Sequence, residues 1–377
     1  MAGRRKGLSG VRVLVVSTWY PSAERPGETP FVPRHVRAIA RHHDVRVVHV
    51  RLLRTGPVRA ERWEGVPVLR VPFHPLRPRT LLRAYRVLVR GLRGADLVHS
   101  MAFSTAFVLA PLARVRPWLH TEHWNGVHTP EQIDGAWPRF ARARHVLRLP
   151  DLLTGVSEAM CATLRRFSRP GRVRWWGNVV EHDDAVVPPP RGRTVEVVSV
   201  GGLWGLKDPL LAVEAVAELR RAGTDVHLVW CGEGPLRGEV EERIAALGLQ
   251  DAVELAGSVP AEQVRHRLAA ADVFLLPSRT ETFCVAAAEA LAAGRPVVMG
   301  AVGAHTEFVH PGNGRLVAER SGQAFARAVL EVLAAEDLLA PEDMAAEIRG
   351  RYGLETVSDE IDRLYRSLLD GGSGRAL

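Results

Sequence analysis

One lysine and two glutamates in the second half of the chain have side chains suited to binding phosphate and hydroxyl groups. Lys207 follows a β-branched run and a glycine-rich turn, and an amphipathic helix begins just after it, at Leu210. Unpaired amides at the start of a helix attract phosphate, and a lysine adds a full positive charge. The turn has neither the G-x-G-x-x-G nor the P-loop spacing, so by itself it favours a tight turn with a surface lysine.

The composition gives Lys207 more weight than its local pattern does. Of the 50 basic residues only Lys6 and Lys207 are lysines, and the other 48 are arginines. Lysine is therefore a rare choice in this chain, made only at positions where arginine was not used. A compact ammonium group on a flexible stem suits a leaving diphosphate, which favours phosphate binding at this turn.

Two carboxylates follow in the next part of the chain. Glu281 lies in a loop after the strand predicted at residues 273–276, and a helix of small residues after that loop contains Glu289. The positions three and four residues from Glu289 are all apolar, so it has no local salt-bridge partner. Two interpretations stay open: a solvated glutamate on an otherwise buried helix, or a carboxylate that accepts hydrogen bonds from two hydroxyls.

Parallel β-sheets are the elements that must position these side chains. Short β-branched runs alternate with longer helical patterns along nearly the whole chain, which is typical of βαβ units. The alternation stops at residues 181–193, where three acidic residues and three consecutive prolines indicate an extended linker. Doubly wound sheets bind ligands at the carboxyl ends of their strands, where Lys207 and Glu281 both fall.

Length and charge agree with a two-domain protein. A chain of 377 residues with 46% hydrophobic and 24% charged residues exceeds what one core usually organises. The net charge of +8 divides into +17 over residues 1–190 and −9 over residues 191–377. An anionic partner of the first half is therefore expected: a phosphorylated ligand, an anionic lipid surface or nucleic acid. We predict an α/β fold with two doubly wound Rossmann-like domains, at residues 1–183 and 184–355, and a final helix at 356–377 that packs back on the first domain.

The cysteines and the apolar runs bear on location. The three cysteines show no spacing typical of zinc sites or disulfide frameworks, which favours a reducing cytoplasm. The basic residues 1–10 predict a tail rather than a signal peptide. No apolar stretch approaches the roughly 18 to 20 residues of a membrane-spanning helix. We expect a cytoplasmic protein whose membrane contact, if any, is peripheral on the inner face.

Further motifs surround the two glutamates and extend over most of the chain. They are the turns at Gly232–Pro235 and Gly257–Val259, the segments Ala292–Val298, Gly303–Glu307 and Asn313–Gly314, and, in the first half, Asp96–His99, Thr121–His123, Val156–Glu158 and Gly177–Val180. Together with the spacing of Glu281 and Glu289, they resemble the retaining glycosyltransferases of family four, of the group-1 type, whose signature is two glutamates separated by seven residues.

The resemblance implies a donor site in the second domain. Glu289 would bind the ribose hydroxyls, Glu281 the hydroxyls of the donor sugar, and Lys207 would neutralise the departing diphosphate. The other donor-binding residues that it implies are Gly202, Ser258 and Val259, together with Phe283, Cys284 and Val285 through their main-chain amides.

The resemblance also assigns residues of the first domain. His123, in a loop after a strand, would line the reaction centre near the donor sugar or acceptor. A structural histidine is the alternative that the sequence leaves open. Gly27, in the loop after the first strand, would lie over the phosphates or the acceptor.

The chain departs from the family pattern at three positions of the donor site. Members usually carry an arginine where Gly202 stands, and this arginine shares the charge of the diphosphate. They also usually have glycines where Thr282 and Cys284 occur. These departures leave Lys207 without its usual companion and change the shape of the loop that would hold the sugar.

The implied fold and reaction are those of the GT-B enzymes, in which two domains face each other across a cleft that holds the active site. The donor would be a nucleotide-diphosphate sugar, with a UDP-sugar favoured, and a hexosyl or N-acetylhexosaminyl group would pass to a hydroxyl with retention of configuration. Because no Asp-x-Asp motif is present, we expect no metal and no cofactor. Front-face attack is the working hypothesis, since no carboxylate is an obvious nucleophile.

A basic amphipathic helix raises the question of a membrane-bound acceptor. Its arginines recur at steps of three and four residues beside apolar residues, at Arg79, Arg83, Arg86, Arg90 and Arg93. Docking on anionic lipid and an ordinary surface helix both fit this pattern, the second slightly better. A soluble small acceptor, such as a cyclitol, is as plausible as a lipid-linked one.

Other functional classes fit the sequence less well. A non-hydrolysing sugar-nucleotide epimerase shares the fold, and a catalytically silent nucleotide-sugar-binding protein would be consistent with Gly202. Nucleic-acid binding matches only the charge of the first half and has no recognition motif, so no nucleic-acid partner is predicted.

Overall fold

The chain folds as two compact units. The computed structural model describes residues 10–23, 29–133, 135, 137–183, 185–186 and 194–372. The first unit contains the chain up to Val179 and again from Leu354 onward, and the second is Val180–Gly353. These boundaries lie four and two residues before the positions proposed from the sequence. Part of the linker predicted at 181–193 lies outside the described residues.

An eight-stranded sheet forms the centre of the first unit. Its strands are β1 (Arg12–Ser17), β2 (Asp44–Leu52), β3 (Arg59–Trp63), β4 (Val66–Phe73), β5 (Leu97–Met101), β6 (Trp118–Glu122), β7 (Leu152–Gly155) and β8 (Val173–Trp175). Their order in space is β3-β4-β2-β1-β5-β6-β7-β8, and every neighbouring pair is parallel except β3 and β4. Those two form a hairpin whose tight turn, Glu64–Gly65, has positive φ angles at both residues.

Helices cover both faces of this sheet. They are α1 (Phe31–Ala40), α2 (Pro78–Arg93), α3 (Phe103–Leu109), α4 (Asn125–His128), α5 (Trp137–Phe140) and α6 (Glu158–Arg165), with 3-10 turns at Ala110–Leu112, Pro130–Gln132 and Ala141–Arg148. Successive side chains of a strand point to opposite faces. In β1, Leu14 and Val16 therefore enter one core, and Val13 and Val15 enter the other.

The last helix of the chain belongs to the first unit. This helix, here called α13 (Leu354–Gly372), buries its apolar stripe in the same core as α1, through Val357, Ile361, Tyr365 and Leu368. Its polar contacts are specific, because the Trp176 indole donates to the Val357 carbonyl at 3.0 Å. The Tyr365 hydroxyl lies 2.6 Å from Nδ1 of the buried His99.

The second unit has a six-stranded, entirely parallel sheet. Its strands are β9 (Val195–Val200), β10 (Val226–Cys231), β11 (Val253–Gly257), β12 (Val273–Leu276), β13 (Val297–Gly300) and β14 (Gly314–Val317). Their order is β11-β10-β9-β12-β13-β14. The helices are α7 (Pro209–Arg221), α8 (Arg237–Ala246), α9 (Ala261–Ala270), α10 (Val285–Ala292), α11 (Gly322–Ala334) and α12 (Pro341–Tyr352), with a 3-10 turn at Gly303–Glu307. The two units confirm the predicted α/β class with two doubly wound domains.

Candidate functional site

The candidate site of the second unit lies where its strand order reverses. From β9 the chain builds outward to β10 and β11, then returns to β12 on the other side of β9. The loops that follow β9 and β12 therefore leave the carboxyl edge of the sheet side by side, which is where doubly wound sheets bind ligands. Lys207 is in the first loop and Glu281 in the second.

An ion pair joins these two residues. The Lys207 ammonium donates to Oε1 of Glu281, and the Ser278 hydroxyl donates to the same oxygen at 2.8 Å. The Lys207 side chain is 26% exposed and that of Glu281 only 7%, so the cation is the partner that a ligand can reach. Two residues predicted separately from the sequence thus form one ion pair. Ser278, which hydrogen-bonds to the same carboxylate, is a third member of this cluster that sequence reasoning missed.

The electrostatics of the pair keep both groups charged. Burial alone would lower the pKa of Lys207, but the charge of the Glu281 carboxylate, the nearby Cys284 sulfur and the hydrogen bond to Glu281 together leave this pKa raised. Burial alone would raise the pKa of Glu281, but the charge of Lys207, the nearby His305 imidazole and the hydrogen bonds from Lys207 and Ser278 leave this pKa lowered. Both side chains are therefore ionised around neutral pH.

A second charged cluster fixes the two loops to each other. Asp208, the residue before α7, forms ion pairs with Arg279, at 2.9 Å, and with Arg320. The Arg279 amide donates to the Leu206 carbonyl at 2.8 Å, which joins the loop after β12 to the loop after β9. Arg320 also donates to the Ser278 carbonyl at 3.0 Å. None of these three charged residues was predicted, because their contacts join distant parts of the chain.

The structure explains the glycine at position 202. A Cβ placed there would lie 2.4 Å from Cδ1 and 2.6 Å from Nε1 of the Trp204 indole, and 3.2 Å from the Glu233 carbonyl oxygen. Trp204 thus occupies the space that a side chain at position 202 would enter. The indole remains 56% exposed beside the loop that carries Lys207.

Cys284 has a backbone conformation that glycine adopts more readily than other residues. Its φ angle is +73°, in the left-handed region that non-glycine residues seldom adopt, and it directly precedes α10. Burial raises the pKa of its thiol to about 12. Phe283 packs its ring against Phe308 and Tyr352, and Val285 begins α10. The predicted sugar-binding segment is therefore a left-handed turn before α10 that carries a buried thiol.

Glu289 is a buried residue of α10 and not a solvated one. Its relative exposure is 9%, and its neighbours along the helix, Ala288 and Ala290, are fully buried. The structure thus excludes one of the two interpretations left open by the sequence. Ser258 and Val259 follow β11, where the Gly232 amide donates to the Gly257 carbonyl at 2.8 Å. This contact links their loop to the turn after β10.

His305 and Gly303, which the sequence did not single out as site residues, also border Glu281. His305 is fully buried, and its Nδ1–H donates to the Gly300 carbonyl at 2.7 Å. Gly303 has φ +47°, and a Cβ there would lie 2.4 Å from the Glu281 carbonyl oxygen. The loop after β13 therefore packs directly on the backbone of Glu281.

The first unit places His123 in a network of buried polar groups. Oε1 of the buried Glu122 accepts from the amides of His123 and Trp124, at 2.9 and 3.0 Å, and fixes the loop after β6. The His123 ring stacks on Phe31 at 4.7 Å between centroids. Glu122 is thus the anchor of this loop. Gly27 lies outside the described residues.

The protonation of His123 follows from its contact with His35. Nε2 of His35 faces the Gly177 carbonyl at 3.0 Å, which can only accept, so this nitrogen carries the proton. Burial lowers the pKa of His35 to about 4, so its Nδ1 is an acceptor and receives a hydrogen bond from Nε2 of His123 at 3.1 Å. Burial and the nearby His35 also lower the pKa of His123. His123 is therefore neutral, with the lone pair on Nδ1.

The arginine-rich helix α2 presents its five predicted arginines to solvent, while Ala84, Leu88 and Leu92 pack on the sheet. Most of its apolar stripe therefore belongs to the protein core. Of the apolar residues near it, Leu76 and Leu82 remain exposed. Among the helices in the described part of the chain, none combines the length and apolar character needed to cross a bilayer.

Two family models match consecutive parts of this chain. The model described as Glycosyltransferase Family 4 matches residues 32–184, and the model described as Glycosyl transferases group 1 matches residues 183–350. The chain belongs to the family-4, group-1 glycosyltransferases. The predicted resemblance is thereby confirmed.

Curated relatives of this glycosyltransferase share part of its length. It is 29% identical over 225 residues to a phosphatidylinositol N-acetylglucosaminyltransferase subunit from Arabidopsis thaliana, covering 56% of this chain and 50% of the relative. It is 37% identical over 151 residues to the 2-deoxystreptamine glucosyltransferase of Streptomyces kanamyceticus, covering 40% of this chain and 37% of the relative. The matched regions thus span half or less of these relatives.

Solved structures share its fold. HepE of Anabaena, solved in complex with UDP and glucose, matches 95% of this glycosyltransferase and 100% of its own chain, with a TM-score of 0.76 and 17% identity. This neighbour is a GT-B protein, which confirms the predicted fold class.

We predict that Gly303→Ala destabilises this glycosyltransferase. A side chain at φ +47° costs about 1–2 kcal/mol, and its Cβ would collide with the Glu281 carbonyl. The matched control is Gly205→Ala, because nothing lies within 4 Å of a Cβ at that position. Thermal unfolding should show a lower midpoint for Gly303→Ala alone. Equal midpoints for the two variants would contradict the observed packing.

We predict that acid destabilises the protein through its buried histidines. An unfolded His35 takes up a proton below pH 6.5, whereas the folded one does so only near pH 4, so stability is lost as pH falls through this window. His35→Gln should reduce the slope of stability against pH by up to about 1.4 kcal/mol per pH unit. The exposed His266→Gln should keep the wild-type slope in denaturant titrations at several pH values. An unchanged slope in His35→Gln would show that His35 is not a buried neutral residue.

Proposed function

We propose that this chain is a retaining glycosyltransferase that moves a hexosyl or N-acetylhexosaminyl group from a nucleotide-diphosphate sugar to an acceptor hydroxyl. The observation that carries the proposal is the Lys207–Glu281 ion pair at the switch point of the second sheet. A partly exposed cation held by a buried carboxylate is a preorganised partner for a diphosphate. The buried Glu289 on the adjoining helix α10 adds a second carboxylate.

Lys207 is proposed to stabilise the leaving group. Its charge is retained, since the Glu281 carboxylate raises its pKa, and the flexible stem lets the ammonium turn towards a phosphate oxygen. Charge that develops on the diphosphate in the transition state would then be neutralised without reorganisation of solvent. His123, neutral and fixed by His35, is proposed to line the reaction centre.

The two glutamates are proposed to bind hydroxyls. Glu281 would accept from the donor sugar through the oxygen that Lys207 does not contact, and Glu289 would accept from both ribose hydroxyls. The amides of Phe283, Cys284 and Val285 at the start of α10 would complete the sugar site, and Ser258 and Val259 would contact the nucleoside. We propose front-face attack without a metal cofactor, because this arrangement offers cations and hydrogen bonds but no dedicated nucleophile.

The proposed substrates draw support from the relatives. HepE holds UDP and glucose in its solved structure, which supports a UDP-sugar donor. The two curated relatives are named for phosphatidylinositol and for 2-deoxystreptamine, both of which contain a cyclitol ring. Cyclitols, free or lipid-linked, are therefore the first acceptors to test. The exposed arginines of α2 would favour an anionic lipid surface for the lipid-linked case.

Donor binding and turnover test this function directly. We expect one of UDP-, GDP-, ADP- or dTDP-sugars to raise the melting temperature of the wild type, as ligands of the native state do. Glu289→Gln should weaken that donor at least about tenfold, because hydrogen bonds to a charged group contribute about 1.5–3 kcal/mol. Lys207→Met should lower kcat by about 10²–10³-fold, the loss typical of a missing oxyanion donor.

The control is Glu242→Gln, which removes an exposed carboxylate of α8 and should match the wild type in both assays. Nucleotide release that depends on an added acceptor would distinguish transfer from donor hydrolysis. If every nucleotide sugar leaves the melting temperature unchanged, the proposed donor site does not exist.

The effect of an arginine at position 202 on donor binding should depend on Trp204. We predict that Gly202→Arg alone weakens donor binding, since its Cβ would collide with the Trp204 indole. In the double variant Gly202→Arg, Trp204→Ala the collision is relieved, and donor affinity should exceed that of Trp204→Ala alone. Donor titrations of the wild type and the three variants measure this coupling. Additive effects would show that Trp204 does not govern position 202.

A further inference from the structure

A cluster of three metal-ligating side chains lies beside the Lys207–Glu281 pair. Glu281, Cys284 and His305 are all buried, and one ligand atom from each lies within 4.8 Å of the others. They come from two loops, those after β12 and β13. Gly303 lies close to the Glu281 carbonyl, and this contact brings the two loops together. Carboxylate, thiolate and imidazole are the ligand types that bind Zn²⁺.

His305 has the orientation of a metal ligand. Its Nδ1–H donates to the Gly300 carbonyl at 2.7 Å, so Nε2 carries the lone pair. Metal-binding histidines almost always donate their other ring N–H to a carbonyl or carboxylate in this way. Nε2 is buried and has no hydrogen-bond partner among the residues that the structure describes. A buried acceptor with no partner costs free energy, and a bound cation would satisfy it.

Glu281 and Cys284 supply the remaining donors. Lys207 and Ser278 both contact Oε1 of Glu281, so Oε2 is the oxygen for a further ligand. The left-handed turn at Cys284 directs the thiol from the start of α10 to the same place. Tetrahedral Zn²⁺ with bonds of about 2.0–2.3 Å requires ligand atoms roughly 3.5 Å apart, so these three need to close in by about an ångström.

We propose that Glu281, Cys284 and His305 form a zinc-binding site within the second unit, with water in the fourth position. Binding replaces the S–H bond of Cys284 by an S–Zn bond and releases the proton to solvent, with no change of oxidation state. The ion is an inhibitor and not a cofactor, which rests on the proposed function. Zinc would engage the carboxylate assigned to the donor sugar and place positive charge beside Lys207.

The test measures metal binding itself. The 377-residue protein, treated with a chelator, is titrated with Zn²⁺ against a chromophoric competitor, and with Co²⁺ in an absorbance spectrometer. We expect one ion per chain and a near-ultraviolet thiolate-to-cobalt charge-transfer band in the wild type. His305→Ala and Cys284→Gly should each weaken Zn²⁺ binding by about tenfold or more, and Cys284→Gly should abolish the band.

Cys284→Gly should fold as the wild type does, because glycine readily adopts the φ of +73° at that position. The matched control Cys231→Ala removes another buried thiol of the same unit, at the end of β10, and should bind Zn²⁺ as the wild type does. Zinc binding that is unchanged in Cys284→Gly and His305→Ala, or absent from the wild type, would overturn the site.

Competition between Zn²⁺ and the nucleotide sugar tests the zinc site separately from the proposed function. The nucleotide sugar that stabilises the wild type should lower its apparent Zn²⁺ affinity, and added zinc should not weaken the binding of that sugar to His305→Ala. Nucleotide-sugar binding without zinc binding overturns the metal site alone. Zinc binding in a protein that no nucleotide sugar stabilises supports the metal site and contradicts the proposed donor site.

Discussion

The ion pair between Lys207 and Glu281 is the constraint on which the second unit's site depends. A carboxylate that is only 7% exposed is costly without a cation, and removal of one partner of a buried pair leaves an uncompensated charge. The surrounding loops are built to hold both partners. Asp208 with its two arginines joins the loop after β9 to that after β12, and Gly303 lets the loop after β13 reach the Glu281 backbone. Three loops from the centre of one sheet are thereby held in a single arrangement.

Two departures from the family pattern have local physical reasons. Position 202 cannot carry a side chain while the Trp204 indole covers it, so the indole accounts for the glycine at this position. At position 284 the chain keeps the left-handed backbone that a glycine would adopt and accepts the strain of a cysteine, about 1–2 kcal/mol. Strain of this kind tends to persist at functional sites, where the surrounding structure over-determines the conformation.

Much of the architecture was predictable, because parallel strands and helices leave a periodic pattern. The alternation located most strands, and the rule that ligands meet strand ends selected Lys207 and Glu281 from the sequence alone. Contacts between distant residues left no such pattern. Arg320 lies 112 residues from its partner Asp208, and His305 reaches Glu281 only through the loop after β13. The burial of Glu289 also depends on which elements pack over α10. The apolar sequence around Glu289 could not predict that packing.

The choice of lysine at position 207 follows from the same packing. The aliphatic stem of Lys207 runs over Gly201, with Cε 3.4 Å and Cδ 3.5 Å from where a Cβ would stand. It ends in a single ammonium on one carboxylate oxygen that Ser278 shares. A planar guanidinium presents five donors in a rigid fork and needs more acceptors in its plane than this oxygen offers. In a chain that uses arginine for 48 of its 50 basic residues, this is a physical reason for the exception. The site requires a compact cation that can leave the Glu281 oxygen and contact a phosphate oxygen instead. The ammonium group of lysine can do so.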